Sequence, residues 1–142
     1  SFTAKDGKVT IQEIKELLGI VEVGQISQLV DFIVRQNTRE AVLYINSMAD
    51  QGVDLQEFAK TLVFYLRQSL LLKINPELIN PQNSGFSAEE IEKMKAQTAD
   101  LGQKEIQRIL ELFIDAENKM KYATILQLPL ELAIVDITHH EA

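Results

Sequence analysis

The side chains that most often carry out chemistry in proteins are few in this sequence and poorly grouped. The two histidines, His139 and His140, are adjacent, and a metal site there would need further ligands converging on them. Cysteine is absent, which excludes disulfides, thiolate metal ligands and a cysteine nucleophile. No serine neighbours a histidine that could serve as its base. We therefore expect no catalytic residue, no metal site and no cofactor site.

The excess of acidic residues and the lack of a phosphate-binding loop argue against two further classes of function, nucleic-acid binding and ATP hydrolysis. A glycine-rich loop followed by lysine and serine or threonine is missing, so a complete nucleotide-binding ATPase is not encoded here. The chain has 21 acidic against 14 basic residues, a net charge of −7, which argues against direct nucleic-acid binding. We expect the helix-surface carboxylates to serve solubility and ion pairing: Glu89, Glu90, Glu92, Glu111, Asp115 and Glu117.

Apolar surface is the remaining feature, and it is centred on a long predicted helix between Gly52 and Lys73. Asp54 is a good N-cap, and Glu57 can complete a capping box. Helical spacing places one broad face inward: Leu55, Phe58, Ala59, Leu62, Val63, Tyr65, Leu66, Leu70 and Ile74. On the opposite side, among Glu57, Lys60, Arg67 and Gln68, lie the large apolar residues Phe64 and Leu71. Two interpretations stay open: a surface for a partner protein, or a surface covered by the second half of this chain.

The other elements are predicted to be helical as well. Capping signals and apolar periodicity indicate helices after Thr10, over 24–36, from Asn37 or Thr38 to Gly52, after the capping box that begins at Ser87, and from Gln103 to about Lys121. Two prolines and a polar run make 75–86 a loop or linker. The sequence therefore predicts an all-α bundle of six or seven helices, with a linker at 1–9, a helical domain at 10–142 and a possible subdivision near 75–86.

The last segment, 124–137, allows either a strand or a helix on periodicity alone. A single strand would have no partner strand for its ladder, so a helix is favoured, with Pro129 near its first turn. We expect the inward residues to be Leu130, Ala133, Ile134 and Ile137. Because nearly every face of this helix is apolar, it is predicted to lie in the centre of the bundle.

The cellular context is also constrained by the sequence. No apolar run approaches the roughly 20 residues that span a bilayer, and the start of the chain lacks the features of a signal peptide. We therefore expect a cytoplasmic protein without membrane contact.

Several segments together resemble a known protein family. Asp6-Gly-Lys-Val-Thr10 and Ile14-Lys-Glu-Leu-Leu-Gly19 are similar to the passage that leaves the ATPase region of the bacterial DNA polymerase III gamma/tau subunit. Later segments look like the third domain of that subunit: Gly52-Val-Asp-Leu-Gln-Glu-Phe, Leu66-Arg-Gln-Ser-Leu-Leu-Leu-Lys73 and Leu128-Pro-Leu-Glu-Leu-Ala-Ile-Val135. The likeness spans nearly the whole chain, and the order and spacing of the segments make it specific.

The resemblance implies an all-α collar domain that joins clamp-loader subunits into a ring and so supports sliding-clamp loading in DNA replication. It implies other clamp-loader subunits as partners, and residues 1–4 as the last trace of a preceding lid domain. ATP binds elsewhere in the full-length family protein, and no ATP-binding position of the family has a match here. We therefore expect an oligomerisation scaffold that is not an enzyme. The alternative is a helical ligand-binding or regulatory domain, which a deep apolar cavity between the last three helices would favour.

Overall fold

A computed structural model describes residues 10, 11, 14 and 18–139 of the chain. The predicted linker at 1–9, most of the predicted helix after Thr10, and His140 lie outside the described residues. The described part contains seven α-helices and no strand: α1 (Val23–Val34), α2 (Thr38–Asp50), α3 (Leu55–Ile74), α4 (Pro81–Ser84), α5 (Ala88–Gln97), α6 (Gln103–Met120) and α7 (Leu128–Thr138). The predicted all-α fold is confirmed. No helix among these residues is both long and apolar enough to cross a bilayer.

The first helices form because each has a local start signal and one buried face. In α1 the side chain of Gln25 accepts a hydrogen bond from the N–H of Glu22, at 2.8 Å. Asn37 caps α2 by accepting from the N–H of Glu40, at 3.2 Å. Both helices bury aliphatic residues against the rest of the bundle, including Ile26, Leu29, Ala41, Ile45 and Met48. The two helices also contact each other.

Gly19 connects the start of the described chain to the turn before α3. It adopts the left-handed conformation, with φ of 71°. Its carbonyl accepts a hydrogen bond from the N–H of Asp54 at 3.3 Å. A Cβ at position 19 would lie 2.9 Å from the carbonyl oxygen of Gly52, so a larger residue would push these two segments apart.

Helix α3 is the central element, and Asp54 caps it as predicted. The Asp54 carboxylate accepts from the N–H groups of Gln56 and Glu57, at 3.1 and 3.2 Å. Glu57 does not complete a capping box; its side chain pairs with Lys60 instead. Helix α3 packs along α6 and also contacts α1 and α5. Most of the predicted inner face is buried, and Val63 and Leu70 are half-buried.

Two assignments on α3 were wrong. Ile74, predicted to be inward, is 51% exposed because it is the last residue of the helix. Gln68, placed on the polar side, is only 4% exposed because the segment after α3 folds back over it.

The segment predicted as a loop contains a 3-10 turn at Pro76–Leu78 and the short helix α4. Asn75 and Asn80 cap these two pieces, and Gly85 ends α4 with φ of 79°. The side chains of Ile79 and Phe86 are buried in the same apolar cluster as residues of α1, α3 and α6. The segment is thus packed on the bundle.

The last helix follows the prediction on its inner face and departs from it on the outer face. Pro129 lies in the first turn, and Leu130, Ala133, Ile134 and Ile137 are buried, as expected. The central position is wrong, because α7 packs on α6 and α2 on one side and leaves Leu132 59% exposed on the other. An apolar composition on every side therefore did not indicate burial on every side.

Candidate interaction surfaces

Phe64 and Leu71, for which the sequence leaves open a partner surface or cover by the second half of the chain, are both partly covered by the chain itself. The ring of Phe64 stacks on the ring of Phe86, with centroids 5.7 Å apart and an interplanar angle of 24°. The residue remains 42% exposed. Leu71 is half-buried and packs against the core. The partner surface at these residues stays a prediction.

The surroundings of Phe64 are polar on the solvent side and aromatic on the inner side. Lys60 and Glu57 form an exposed pair with a nitrogen–oxygen distance of 3.3 Å, and Arg67 is exposed as well. On the inner side, Phe86 meets Tyr65 edge to face at 5.8 Å. Phe64 is therefore the exposed outer ring of a three-ring aromatic stack that continues into the core.

Next to this stack, one turn along α3, lies the incompletely paired side chain of Gln68. Its amide Nε2 donates to the carbonyl of Ser84 at a long 3.4 Å. Its Oε1 is buried and has no hydrogen-bond partner among the described residues. We call this site the Gln68 corner. A buried carbonyl oxygen without a donor costs free energy, so the contact between α3 and the segment 75–86 is imperfect here.

Gln97, at the end of α5, is the centre of a second buried polar site, and this one is fully paired. Its Nε2 donates to the carbonyl of Ser27 at 2.9 Å, to the Oγ of Ser27 at 3.1 Å and to the Oδ1 of Asp31 at 2.8 Å. Its Oε1 accepts a hydrogen bond from the hydroxyl of Tyr65. We call this the Gln97 cluster. It joins α1, α3 and α5 at a single side chain.

The surroundings of the Gln97 cluster raise the pKa of Tyr65 and pair Asp31 with a lysine. Burial raises the pKa of the Tyr65 hydroxyl above its ordinary value, and the charges of Asp31 and Glu90 act in the same direction, while a hydrogen bond with Ser27 opposes them. Lys93 lies 3.4 Å from the second carboxylate oxygen of Asp31. The tyrosine therefore stays a neutral donor at physiological pH.

The end of α5 is attached to α3 by a third polar contact. The Nζ of Lys73, in the last turn of α3, donates to the carbonyls of Thr98 and Ala99 at 3.0 and 3.2 Å. Such carbonyls at a helix C-terminus carry partial negative charge and suit a cation.

The outer face of α7 is an apolar stripe that the sequence interpretation missed. Leu128, Leu132 and Val135, at spacings of four and three on α7, and Ile125, in the bend before the helix begins, are between 42% and 59% exposed. We call these four residues the α7 seam. Their spacing was visible in the sequence, but the assumption of a central helix concealed it.

Ionisable groups elsewhere on the surface form ordinary pairs. Asp115 pairs with Lys119 at 2.8 Å, and Glu92 pairs with Lys95 at 3.2 Å, both exposed. Glu90 completes the capping box predicted at Ser87, with contacts of 2.8 and 3.1 Å. His139 is exposed, and across the described part of the chain no group of three or more histidine, cysteine or acidic residues is placed to hold a metal.

The crevices near the last helices are small. A groove between α6 and α7, lined in part by Leu112, Pro129 and Leu132, has a volume of about 90 Å³. A second crevice, where α1 and α7 end beside α6, has about 190 Å³. Ligand pockets usually have roughly 300 to 1,000 Å³. These two crevices therefore do not provide the deep cavity that the ligand-binding alternative needs.

Comparison with known proteins assigns nearly the whole chain to one protein family. A search of individual curated proteins gave no match. The family model described as DNA polymerase III subunits gamma and tau domain III matches residues 9–142, which include every described residue. The chain therefore belongs to the family of domain III of the gamma and tau subunits of DNA polymerase III.

Proposed function

We propose that this chain is a non-catalytic scaffold that holds clamp-loader subunits together during sliding-clamp loading, with Phe64 and Leu71 in one of its contact surfaces. Family membership supports a role in the DNA polymerase III machinery. The observation that carries the proposal is the 42% exposed ring of Phe64, which stacks on the buried Phe86 and lies beside the charged residues Lys60 and Arg67. Exposed aromatic residues that pack on buried side chains are typical of the centres of protein interfaces.

The partners we propose are the other clamp-loader subunits. Association would be driven by burial of apolar helix faces, at roughly 25 cal/mol for each Å² of apolar surface removed from water. In this proposal ATP binding and hydrolysis belong to other parts of the full-length protein. The purified chain is expected to show no ATP hydrolysis above the rate of buffer alone in a phosphate-release assay.

The contact surface can be tested with the variant Phe64→Lys in co-sedimentation with partner clamp-loader subunits. Loss of an aromatic anchor at an interface typically costs about 2 kcal/mol, which corresponds to roughly 30-fold weaker association. Adding Leu71→Lys enlarges the effect. The matched control is Ile74→Lys, which places the same charge on an exposed apolar residue of the same helix.

The stability of each variant separates an interface role from a core role. Phe64→Lys loses its stacking on Phe86, worth about 0.5 to 1.5 kcal/mol, and should remain folded by circular dichroism. If Phe64→Lys unfolds, the residue belongs to the intramolecular core. If the folded variant associates as tightly as the Ile74→Lys control, the contact surface lies elsewhere.

A further inference from the structure

The segment 75–86, which we call the strap, connects α3 to α5 and is held together by its own hydrogen bonds. The side chains of Asn80 and Asn83 each accept from the N–H of the other residue, both at 2.9 Å. The Nδ2 of Asn83 also donates to the carbonyl of Leu78 at 3.1 Å, which joins α4 to the 3-10 turn before it. The two pieces of the strap therefore form one hydrogen-bonded unit.

The strap is attached to the side of α3 by apolar packing and by one long hydrogen bond. That bond is the 3.4 Å contact from the Nε2 of Gln68 to the carbonyl of Ser84, and among the described residues no other hydrogen bond joins the strap to the side of α3. The apolar attachment consists of the buried side chains of Ile79 and Phe86, and Phe86 packs on two aromatic rings of α3. Apart from these residues the strap is exposed.

Helices α3 and α5 are connected to each other independently of the strap. The Gln97 cluster joins α5 to α1 and α3, and Lys73 binds the carbonyls that follow α5. The residues that flank the strap, Asn75 and Ser87, are exposed and have extended backbones. Rotation about their backbone bonds can therefore move the strap while both helices stay in place.

The closed position of the strap leaves one polar atom without a partner. The Oε1 of Gln68 is buried and accepts no hydrogen bond from the described residues. A buried carbonyl oxygen without a donor disfavours the closed position, because water can donate to this oxygen once the strap lifts. Burial of Ile79 and Phe86 favours closure, so the two effects oppose each other.

We infer that the strap is an independent opening unit, which lifts from α3 as one piece while the other helices stay folded. Segments that open at a lower free energy than the whole domain are usually contiguous units of this kind. Opening uncovers Gln68 and the face of the Phe64 ring that Phe86 covers, so the strap controls how much of this side of α3 is exposed. The inference goes beyond the proposed scaffold function and holds whether or not Phe64 contacts a partner.

Native-state hydrogen exchange of the whole chain, followed by NMR, is the first test. Ile45→Val removes one buried methyl from α2, which contacts α1 and α7 and lies outside the strap. The amide of Leu62, at a fully buried position of α3, should exchange about fivefold faster, because it exchanges through global unfolding. The amides of Ser84 and Phe86 should be unchanged, because opening of the strap leaves Ile45 buried.

Ile79→Val is the matched substitution within the strap. Ile79 leaves the core both when the strap opens and when the whole domain unfolds. This variant should therefore accelerate exchange at Ser84, Phe86 and Leu62 alike, by about fivefold.

Thiol labelling tests which part of α3 the opening uncovers, because the chain contains no cysteine of its own. Gln68→Cys places a thiol beneath the strap, and Leu66→Cys places one at an equally buried position, 4% exposed, that faces α1 and α6. With a maleimide dye under native conditions, Ile79→Val should accelerate labelling at both positions about fivefold. Ile45→Val should accelerate labelling at position 66 alone.

Three results would overturn the inference. In the first, Ile45→Val accelerates exchange at Ser84 and Phe86 as much as at Leu62, so the strap opens only when the whole domain unfolds. In the second, Ile79→Val accelerates exchange at Ser84 and not at Phe86, so the strap does not move as one piece. In the third, Ile45→Val accelerates labelling equally at positions 66 and 68, so opening of the strap does not uncover Gln68.

Discussion

The segment between α3 and the end of α5 is attached to α3 at two buried glutamines, and the two attachments differ in completeness. In the Gln97 cluster both polar atoms of the side chain have partners, drawn from Ser27, Asp31 and Tyr65. In the Gln68 corner the amide nitrogen has one long contact and the oxygen has none among the described residues. Burial is nearly the same, so hydrogen bonding is the difference.

The contrast indicates which end of the segment defines its position. A fully paired buried network allows few alternative arrangements, because each displacement leaves several polar groups without partners. The Gln68 corner relies on the less directional packing of Phe64, Phe86 and Ile79. We therefore expect the Gln97 end to fix the docking of α5 and the Gln68 end to tolerate substitution.

The largest effect is expected from Gln97→Leu. It removes the acceptor of the Tyr65 hydroxyl and the donor to Ser27 and Asp31, leaving buried groups unpaired, and the free energy of unfolding should fall by about 3 kcal/mol. Urea denaturation measures the change. The control is Gln107→Leu, at an exposed glutamine whose Nε2 donates to Glu111 at 3.3 Å, with an expected change within about 0.5 kcal/mol. Equal losses in both variants would contradict the comparison.

A smaller loss is expected from Tyr65→Phe. The ring and its contact with Phe86 remain, but Oε1 of Gln97 loses its donor, so the free energy of unfolding should fall by about 1 to 2 kcal/mol. Tyr122→Phe, at a tyrosine that is 89% exposed, is the matched control and should be neutral. A neutral Tyr65→Phe would show that Gln97 can find another partner.

Tyr65 also makes the free energy of unfolding depend on pH, and the direction of this dependence follows from its raised pKa. Because burial raises the pKa of Tyr65 in the folded state, the folded protein binds this proton more tightly than the unfolded chain. The stabilisation is complete below the unfolded pKa of about 10 and is lost as pH rises through the higher folded pKa. The stability gap between wild type and Tyr65→Phe should thus be constant up to about pH 9 and shrink above about pH 10. A gap that widens at alkaline pH would contradict this.

The smallest effect is expected at the Gln68 corner. Gln68→Met keeps the length of the side chain and removes the unpaired buried oxygen, at the loss of one long hydrogen bond, so stability should change by less than about 1 kcal/mol in either direction. Thermal unfolding by circular dichroism is sufficient to measure this. A loss as large as that of Gln97→Leu would show that the two glutamines are equivalent, and the comparison would be wrong.

The helices were predictable because their signals are local. Capping residues and apolar periodicity marked α2, α3 and the start of α5. The caps are Asn37, Asp54 and Ser87. The family resemblance was also readable from short segments, and the family match agrees with it. Helix signals and family resemblance can both be read without knowing which helices pack against each other.

The remaining errors concern contacts between segments that are distant in sequence. Helical spacing placed Gln68 on the side of Lys60 and Arg67, whereas the segment after α3 buries it. The Gln97 cluster joins residues separated by 70 positions, at Ser27, and by 32 positions, at Tyr65, and neither pairing has a local signature. The outer face of α7 was predicted to be covered because periodicity reports that a face is apolar and not what lies against it.

The hydrogen bond between Thr38 and Thr138 spans 100 positions of the chain, and this separation has a consequence for folding during synthesis. Helix α2 contacts α7, so its complete set of neighbours exists only after α7 has left the ribosome. At about 5 to 20 residues per second, α2 waits roughly 5 to 20 s for α7. During that interval the inner face of α2, with Ile45 and Met48, has α1 as its neighbouring helix. Helix α7 therefore supplies contacts that α2 lacks until α7 is made, and the same helix carries the α7 seam.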